Sequence, residues 1–346
     1  MIGCRAAVVG IAGPSLTAAE RALFLAEAPA GFILFRRNCQ DPAQLADLVA
    51  ELKALHPDRW LPVLVDQEGG RVQRLAPPHW PALPPARSVG AIAEHDPVAG
   101  ERAARAHAAA TAAMLREVGI DVVCAPCLDL LRPETTRAIG DRAFAADPLL
   151  VAELGTAYAE ALLARGVVPV IKHLPGHGRA TVDSHLELPR VTAPRAELEA
   201  SDWRAFSPLA APPLGQRIMG MTAHIVFDAI DAARPATQSP VVIEEVIRGA
   251  IGFRGLLFSD DLSMAALGGP ITARAMASLH AGCDLALHCN GDLAELEAVL
   301  AAVPALPAAK VAALQALQSE AAPAGPSLEA LLAELHRCLG QGTTGV

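Results

Sequence analysis

Aromatic residues are scarce in this chain. Phe, Trp and Tyr together make up only 3% of its 346 residues, so a platform of rings that stacks nucleic-acid bases is not expected. Basic residues are outnumbered as well, with 28 Lys and Arg against 37 Asp and Glu and a formal net charge of −9. An acidic chain repels a phosphate backbone, which argues against nucleic acid as a partner.

Long apolar runs are also missing. No run approaches the roughly 20 apolar residues that cross a bilayer, so we expect no membrane partner. The first apolar stretch, Ala6–Gly13, is short for the core of a secretory signal and follows a single Arg. Cys4 has no apolar segment before it, which disfavours a lipid anchor. These features predict a cytoplasmic protein.

Cysteine is present in an odd number, seven, and most of the thiols lie in apolar, strand-like segments. Reduced thiols in the core are therefore expected rather than a disulfide framework. Cys124 and Cys127 have CxxC spacing, but a second CxxC pair for a structural zinc site is missing. We expect no redox role for this pair.

Short apolar runs alternate with Ala-, Leu- and Glu-rich helical stretches along the whole chain. Continuous apolar strands separated by helices predict a parallel sheet covered by helices, and eight strands predict an α/β fold of the (β/α)₈ TIM-barrel type. A doubly wound open sheet is the alternative. We expect one catalytic domain over residues 1–346, with a helical tail from about residue 300. The predicted strands are Ala6–Gly13, Gly31–Phe35, Leu61–Val65, Ile120–Ala125, Val167–Ile171, one within Gln216–His224, Gly255–Phe258 and Cys283–His288.

Polar residues follow these strands at their carboxyl ends, and this favours the barrel over the open sheet. In a barrel the carboxyl ends ring one mouth, so residues far apart in sequence converge on a single site. The strand-end residues are Asp66, Asp129, Lys172, His173, His224, Asp260 and Asn290.

The segment from Lys172 to His185 is the densest cluster of such residues, with one Lys, three His and one Asp. His173 and His177 have the spacing of a helical zinc pair, but Pro175 and the glycines around it rule out a helix. The segment is therefore interpreted as a mobile or tightly turned loop that presents imidazoles to a cleft. A polar surface loop that happens to be rich in His is the alternative.

Two other strand ends carry carboxylates. In Asp66–Arg74, a carboxylate and an Arg suit a grip on sugar hydroxyls, although a Glu68–Arg71 salt bridge within the turn explains part of the segment equally well. At Asp260 and Asp261, strand alternation predicts that one side chain points into the site and one away. Asp260 suits a nucleophile, and Asp261 suits a partner of a helix N-terminus.

Asp183 and His185 form a further pair. A carboxylate two residues before a His can bond the imidazole and raise its basicity. The alternative is a structural turn in which Asp183 bonds its own backbone.

Taken together, these motifs resemble family 3 of the glycoside hydrolases, and within it the single-domain bacterial β-N-acetylglucosaminidases of cell-wall recycling. The resemblance runs from about Gly10 to Asn290 and departs at Leu174, where the family usually has Phe. The motifs that carry it are Lys172–Gly178, Asp183–His185, Asp66–Val72, Met221–Val226 and Phe258–Met264.

The resemblance implies a (β/α)₈ barrel that removes terminal β-linked N-acetylglucosamine from muropeptides with retention of configuration. It implies Asp260 as the nucleophile, His185 as the acid/base and Asp183 as the partner of His185. It also implies a set of residues that grip the sugar, namely Asp66, Arg74, Arg142, Lys172 and His173. A saccharide is then the substrate, with no metal, nucleotide or other cofactor, and the enzyme is expected to be a monomer.

Three alternatives stay open at the level of sequence. The same barrel could serve a β-glucosidase or a phosphorolytic N-acetylglucosaminidase, because a His that has given up its proton does not repel phosphate. A metal-dependent hydrolase would use His173, His177, His185 and Asp260. A sugar-binding barrel without activity is the third.

Overall fold

Eight parallel strands close into a barrel in the computed structural model of the chain, which describes residues 3–133, 135–184, 186–318 and 325–340. Around the barrel, each strand lies beside the strands that precede and follow it in the chain, and the first strand pairs with the last. All eight predicted strands are therefore present, and the barrel is confirmed over the open sheet. The strands are β1 (Arg5–Val9), β2 (Pro29–Leu34), β3 (Val63–Val65), β4 (Val122–Val123), β5 (Val168–Leu174), β6 (Met219–Thr222), β7 (Leu257–Asp261) and β8 (Leu285–His288).

Alternation along the strands sorts their side chains into two cores. Leu64, Val170 and Phe258 belong to the core inside the barrel, whereas their neighbours Val63 and Val65 pack in the larger core between strands and helices. Because successive side chains of a strand point to opposite faces, residues 66, 172 and 260 share the inward direction of residues 64, 170 and 258. The pattern of apolar burial thus aims three polar side chains at the mouth.

Helices cover the outside of the barrel. Three of them begin with an Asp cap followed by Pro, at Asp41, Asp96 and Asp147, and each carboxylate accepts a hydrogen bond from a backbone N–H of the first turn. The helices are α1 (Ala18–Glu27), α2 (Pro42–Lys53), α3 (Ala86–Ala93), α4 (Pro97–Glu117), α5 (Pro148–Ala164), α6 (Arg195–Ala200), α7 (Ser207–Ala210), a π-helix (Val242–Ala250), α8 (Ile271–Ala281), α9 (Leu293–Ala302), α10 (Ala308–Ala316) and α11 (Leu328–Cys338). Among the described helices, none combines the length and the apolar composition that a membrane span requires.

The stretch 195–210, whose residue composition favours one helix, is interrupted. A 3₁₀ turn at Asp202–Ala205 separates α6 from α7. Asp202 is buried there and accepts a hydrogen bond from Arg179 Nε at 2.7 Å. Satisfying a buried carboxylate from outside the helix takes precedence over local helix propensity.

Candidate active site

A cavity of about 300 Å³ opens at the carboxyl ends of the strands, where ligand sites of this barrel type lie. Its volume is at the small end of the range for ligand sites. Apolar side chains such as Phe35, Met221 and Met264 form part of its wall. Seven of the eight residues predicted from sequence also line it, which brings them together although it does not test their roles: Asp66, Arg74, Arg142, Lys172, His173, Asp183 and Asp260.

A tight hairpin after β3 carries the first acidic residues of the site. Its strands, Gln67–Gly69 and Val72–Gln73, are antiparallel, and Gly70 occupies the left-handed region with φ 55°. The buried Gln67 side chain closes the hairpin: its Oε1 accepts from the backbone N–H groups of Arg74 at 2.9 Å and Leu75 at 3.0 Å. These two hydrogen bonds fix the conformation of the hairpin, and Asp66 lies at its start.

Three ion pairs join the hairpin to Lys172 and Arg142, and a fourth connects its two ends. Lys172 Nζ lies 2.8 Å from Asp66 Oδ1 and 2.6 Å from Glu68 Oε1. Arg142 binds Glu68 in a forked geometry with two hydrogen bonds of 2.9 Å, and Arg74 Nη2 lies 3.0 Å from Asp66 Oδ2. A forked guanidinium–carboxylate pair fixes both side chains in direction as well as distance. The result is a rigid, buried charge network along one side of the cavity.

These charges stay charged because they neutralise each other. Burial by itself raises the pKa of Asp66, but the cations of Lys172 and Arg74 outweigh it and hold that pKa well below its ordinary value. Burial likewise opposes ionisation of Glu68, and Arg142 and Lys172 lower its pKa to about 2. Burial lowers the pKa of Lys172, yet the two carboxylates raise it well above the usual range. The network is fully ionised near neutral pH.

The hypothesis of a Glu68–Arg71 salt bridge is wrong. Arg71 Nε pairs with Asp141 Oδ1 at 3.0 Å and its Nη2 donates to carbonyls of the 137–139 segment. Glu68 is instead the partner of Arg142, which lies on the 3₁₀ turn Gly140–Arg142 and donates to Ala138 O at 3.0 Å. Glu68 therefore pairs with a residue 74 positions away in the sequence and not with its neighbour in the hairpin.

Asp129 organises the end of β5, although sequence reasoning recognised it only as a polar strand end. Its Oδ2 accepts from His173 Nδ1 at 2.6 Å, and its Oδ1 accepts from the His177 backbone N–H at 2.6 Å. The carboxylate is fully buried, yet His173 holds its pKa well below the usual value against the opposing effect of burial. With Nδ1 of His173 bonded, its Nε2 is directed toward Arg142 Nη2, 3.5 Å away.

The two carboxylates after β7 have different surroundings. Both residues line the cavity, and the expectation that one side chain points into it and one away stays a prediction. Asp261 is held by the Ser263 hydroxyl at 2.6 Å and by the backbone N–H groups of Ser263 and Cys289, each at 3.1 Å. It fastens a turn, and the next helix, α8, begins only at Ile271, so it does not serve a helix N-terminus. Asp260 has the inward direction of its strand.

The turn that follows the glycine-rich segment brings Asp183 to the cavity. Its backbone carbonyl accepts from Leu186 N at 2.9 Å and Glu187 N at 3.0 Å. Ser184 is buried behind it. His185, the predicted acid/base, lies outside the described residues.

Within the described part of the chain, one group of side chains has the spacing of a metal site. Ligand atoms of Cys127, Asp129 and His173 lie within 4.8 Å of one another. They already bond each other, with Cys127 Sγ donating to Asp129 Oδ2 at 3.2 Å, and burial and the Asp129 charge raise the pKa of that thiol well above its ordinary value. Of the four residues predicted for a metal-dependent hydrolase, this group contains only His173. That the enzyme works without a metal stays a prediction.

The cleft of carboxylates and forked cations lies at the carboxyl-terminal mouth of the barrel, where the active sites of barrel enzymes lie, and comparison identifies the class. Residues 8–318 match the glycosyl hydrolase family 3 N-terminal domain. The chain belongs to this family, as its motifs predicted, and is a glycoside hydrolase.

Individual relatives agree with that assignment. The chain is 42% identical over 296 residues to a beta-hexosaminidase of Xanthomonas euvesicatoria, covering 84% of this chain and 86% of the relative. A beta-hexosaminidase of Stenotrophomonas maltophilia is 41% identical over 292 residues, covering 83% and 84%. Among solved structures, NagZ from Neisseria gonorrhoeae in complex with N-trifluoroacetyl-D-glucosamine superposes with a TM-score of 0.86 at 34% identity, covering 99% of each chain.

Proposed function

We propose that this protein is a retaining exo-β-N-acetylglucosaminidase that acts on peptidoglycan fragments in the cytoplasm. The observation that carries the proposal is the cavity itself, where an inward strand-end carboxylate, Asp260, shares one small chamber with a buried network of carboxylates and cations. Relatives named beta-hexosaminidase over more than four-fifths of the chain support the choice of sugar.

The binding side would hold one terminal sugar. Asp66 has a carboxylate that accepts hydroxyl hydrogens, and Arg74, Arg142 and Lys172 offer donors to hydroxyl and amide oxygens. His173, fixed through Asp129, presents Nε2 to the same chamber. Since these groups are already held in place, little conformational entropy is lost when a sugar binds.

The chemistry would proceed in two displacements. A carboxylate oxygen of Asp260 attacks the anomeric carbon while His185, with Asp183 as its partner, gives a proton to the departing glycosidic oxygen, and the bond from carbon to that oxygen breaks. Neutral His185 then takes a proton from a water that attacks the same carbon, and the bond to Asp260 breaks. Two inversions leave the β configuration unchanged.

A rate comparison with three aryl glycosides tests this function. The β-N-acetylglucosaminide should be cleaved fastest, the β-N-acetylgalactosaminide more slowly and the β-glucoside slowest, with Asp260→Asn as the inactive control. Preference for the glucoside would favour the β-glucosidase alternative. Accumulation of a sugar 1-phosphate in phosphate buffer would favour the phosphorolytic one, and no turnover of any of the three would overturn the proposal.

A further inference from the structure

Ser184 is out of character with its surroundings. The turn around it is exposed, and 77% of the Leu186 surface is accessible to solvent. Only 2% of the Ser184 surface is accessible. A small hydroxyl residue on a surface turn gains almost nothing from the hydrophobic effect by being buried. Its burial therefore reflects the contacts that its polar atoms make.

Those contacts tie the turn to the barrel on two sides. Ser184 Oγ lies 3.1 Å from His177 Nε2, and Ser184 O accepts from Ala266 N at 3.3 Å. The backbone N–H of His177 donates to Asp129, which follows β4, at 2.6 Å. Ala266 lies in the segment that follows β7. A short chain of hydrogen bonds thus runs from one strand end, through His177, to the residue beside Asp183.

His177 is suited to placing this turn and unsuited to carrying the proton itself. It is 2% exposed and is not among the described residues that line the cavity. Burial lowers its pKa to about 4 in spite of the nearby Asp129 charge, so its ring is neutral near pH 7. A neutral, enclosed imidazole with its Nε2 on Ser184 acts through the residues it holds.

We propose that His177 and Ser184 are positioning residues for proton transfer, whose mutual hydrogen bond fixes the turn that bears Asp183, the proposed partner of the acid/base His185. The inference rests on the proposed function, in which those two residues form the acid/base pair. Partners that orient a metal-ligating His typically account for about 10–100-fold in affinity or activity, and we expect an effect of similar size here. Sugar binding depends on other residues and should not respond.

Ser184→Ala gives the cleanest test, because it removes one oxygen and adds no volume. We expect kcat/KM for an alkyl β-N-acetylglucosaminide, which needs a proton on departure, to fall about 10–100-fold. The value for a dinitrophenyl β-N-acetylglucosaminide should change less than about threefold, because that leaving group departs without a proton. Inhibition by free N-acetylglucosamine should stay unchanged. Leu186→Ala, an exposed change in the same turn, is the matched control and should leave both rates unaltered.

A second pair of variants separates positioning from general damage. Repeating Ser184→Ala in a His185→Ala background should add less than about twofold, because changes that act through one group are not additive. His177→Gln, which keeps a side-chain amide near Ser184, should retain more alkyl glycosidase activity than His177→Phe. If His177→Phe does not fold, the serine variant and its background test still decide.

Equal losses for both leaving groups, full additivity with His185→Ala, or the same loss in Leu186→Ala would each overturn the inference. Failure of the proposed function looks different, since the unaltered protein would then cleave neither N-acetylglucosaminide.

Discussion

The two sides of the cavity are held together by different forces. On the binding side, Asp66, Glu68, Arg142 and Lys172 are joined by ion pairs between barrel elements, with Lys172 almost fully buried. On the other side, the turn around Ser184 is attached by hydrogen bonds between neutral groups. Removing a member of the first set leaves a buried charge without its partner, whereas loosening the second displaces a loop. Changes on the binding side should therefore affect stability and affinity, and side-chain substitutions in the turn around Ser184 should affect rate.

Asp260→Ala should separate rate from binding most completely. With the proposed nucleophile gone and the ion-pair network untouched, hydrolysis should fall by roughly 10⁴-fold or more, while N-acetylglucosamine still binds in calorimetry. In the unaltered enzyme a slow 2-fluoro glycoside should label a peptide at Asp260. Labelling at Asp261 or Asp66 would show that the nucleophile is elsewhere.

Lys172→Met should be the most damaging change to stability. It removes the cation shared by Asp66 and Glu68, and breaking a buried pair from one side costs about 3–5 kcal/mol. Urea unfolding monitored by circular dichroism measures the loss. Arg71→Met is the matched control, because the Arg71–Asp141 pair is largely exposed and such pairs contribute about 0–1 kcal/mol. Equal losses in the two variants would remove the distinction drawn for the binding side.

His185→Ala should lower the rate without lowering stability. Substrates with poor leaving groups should lose roughly 100-fold or more, because only they need a proton on departure. With activated aryl glycosides a burst should appear, since the glycosyl-enzyme forms and then lacks a base to activate water, and azide should partly restore turnover. Asp183→Ala should give a milder form of the same pattern. A uniform loss without a burst would place the proton carrier elsewhere.

Acid should destabilise the loop side through His177. Its pKa is about 4 in the folded protein against an ordinary 6.5, so the folded state prefers the neutral ring. The associated stability is fully present above pH 6.5 and is lost as the pH falls toward 4. Between pH 6.5 and pH 5 the contribution shrinks by about 2 kcal/mol. His177→Gln does not titrate, and the free energy of unfolding should depend less steeply on pH in that variant. Identical pH dependence in the two proteins would count against a buried neutral ring.

Chelation should have the smallest effect. The proposed reaction needs no Lewis acid, so prolonged dialysis against EDTA should change kcat by less than the error of the assay. Loss of activity that zinc restores would favour the metal-dependent alternative.

Much of this arrangement follows from alternation in the sequence. The apolar residues Leu64, Val170 and Phe258 face the barrel interior, and a step of two along each strand aims Asp66, Lys172 and Asp260 at the mouth. For that reason the strands and the inward polar residues could be predicted without coordinates.

The pairing of side chains that are far apart in the sequence could not be predicted in this way. Glu68 pairs with Arg142 because a 3₁₀ turn places the Arg142 guanidinium beside the hairpin. The local sequence pattern does not predict such a turn. Asp129 presents the same difficulty: its strand-end position was evident, but its bonds to His173 and His177 depend on the path of the chain after β5. The shape of loops between strands decides which charges pair, and that shape is set by packing.

The charges of the binding side neutralise each other, and this also affects how sugar binding responds to dissolved salt. Dissolved salt screens exposed charges strongly and enclosed ones weakly. The pairs of Lys172 with Asp66 and Glu68 are enclosed, and an N-acetylated sugar carries no charge to be steered by a field. Affinity for the sugar should therefore be almost independent of ionic strength, even though the protein as a whole carries a formal net charge of −9.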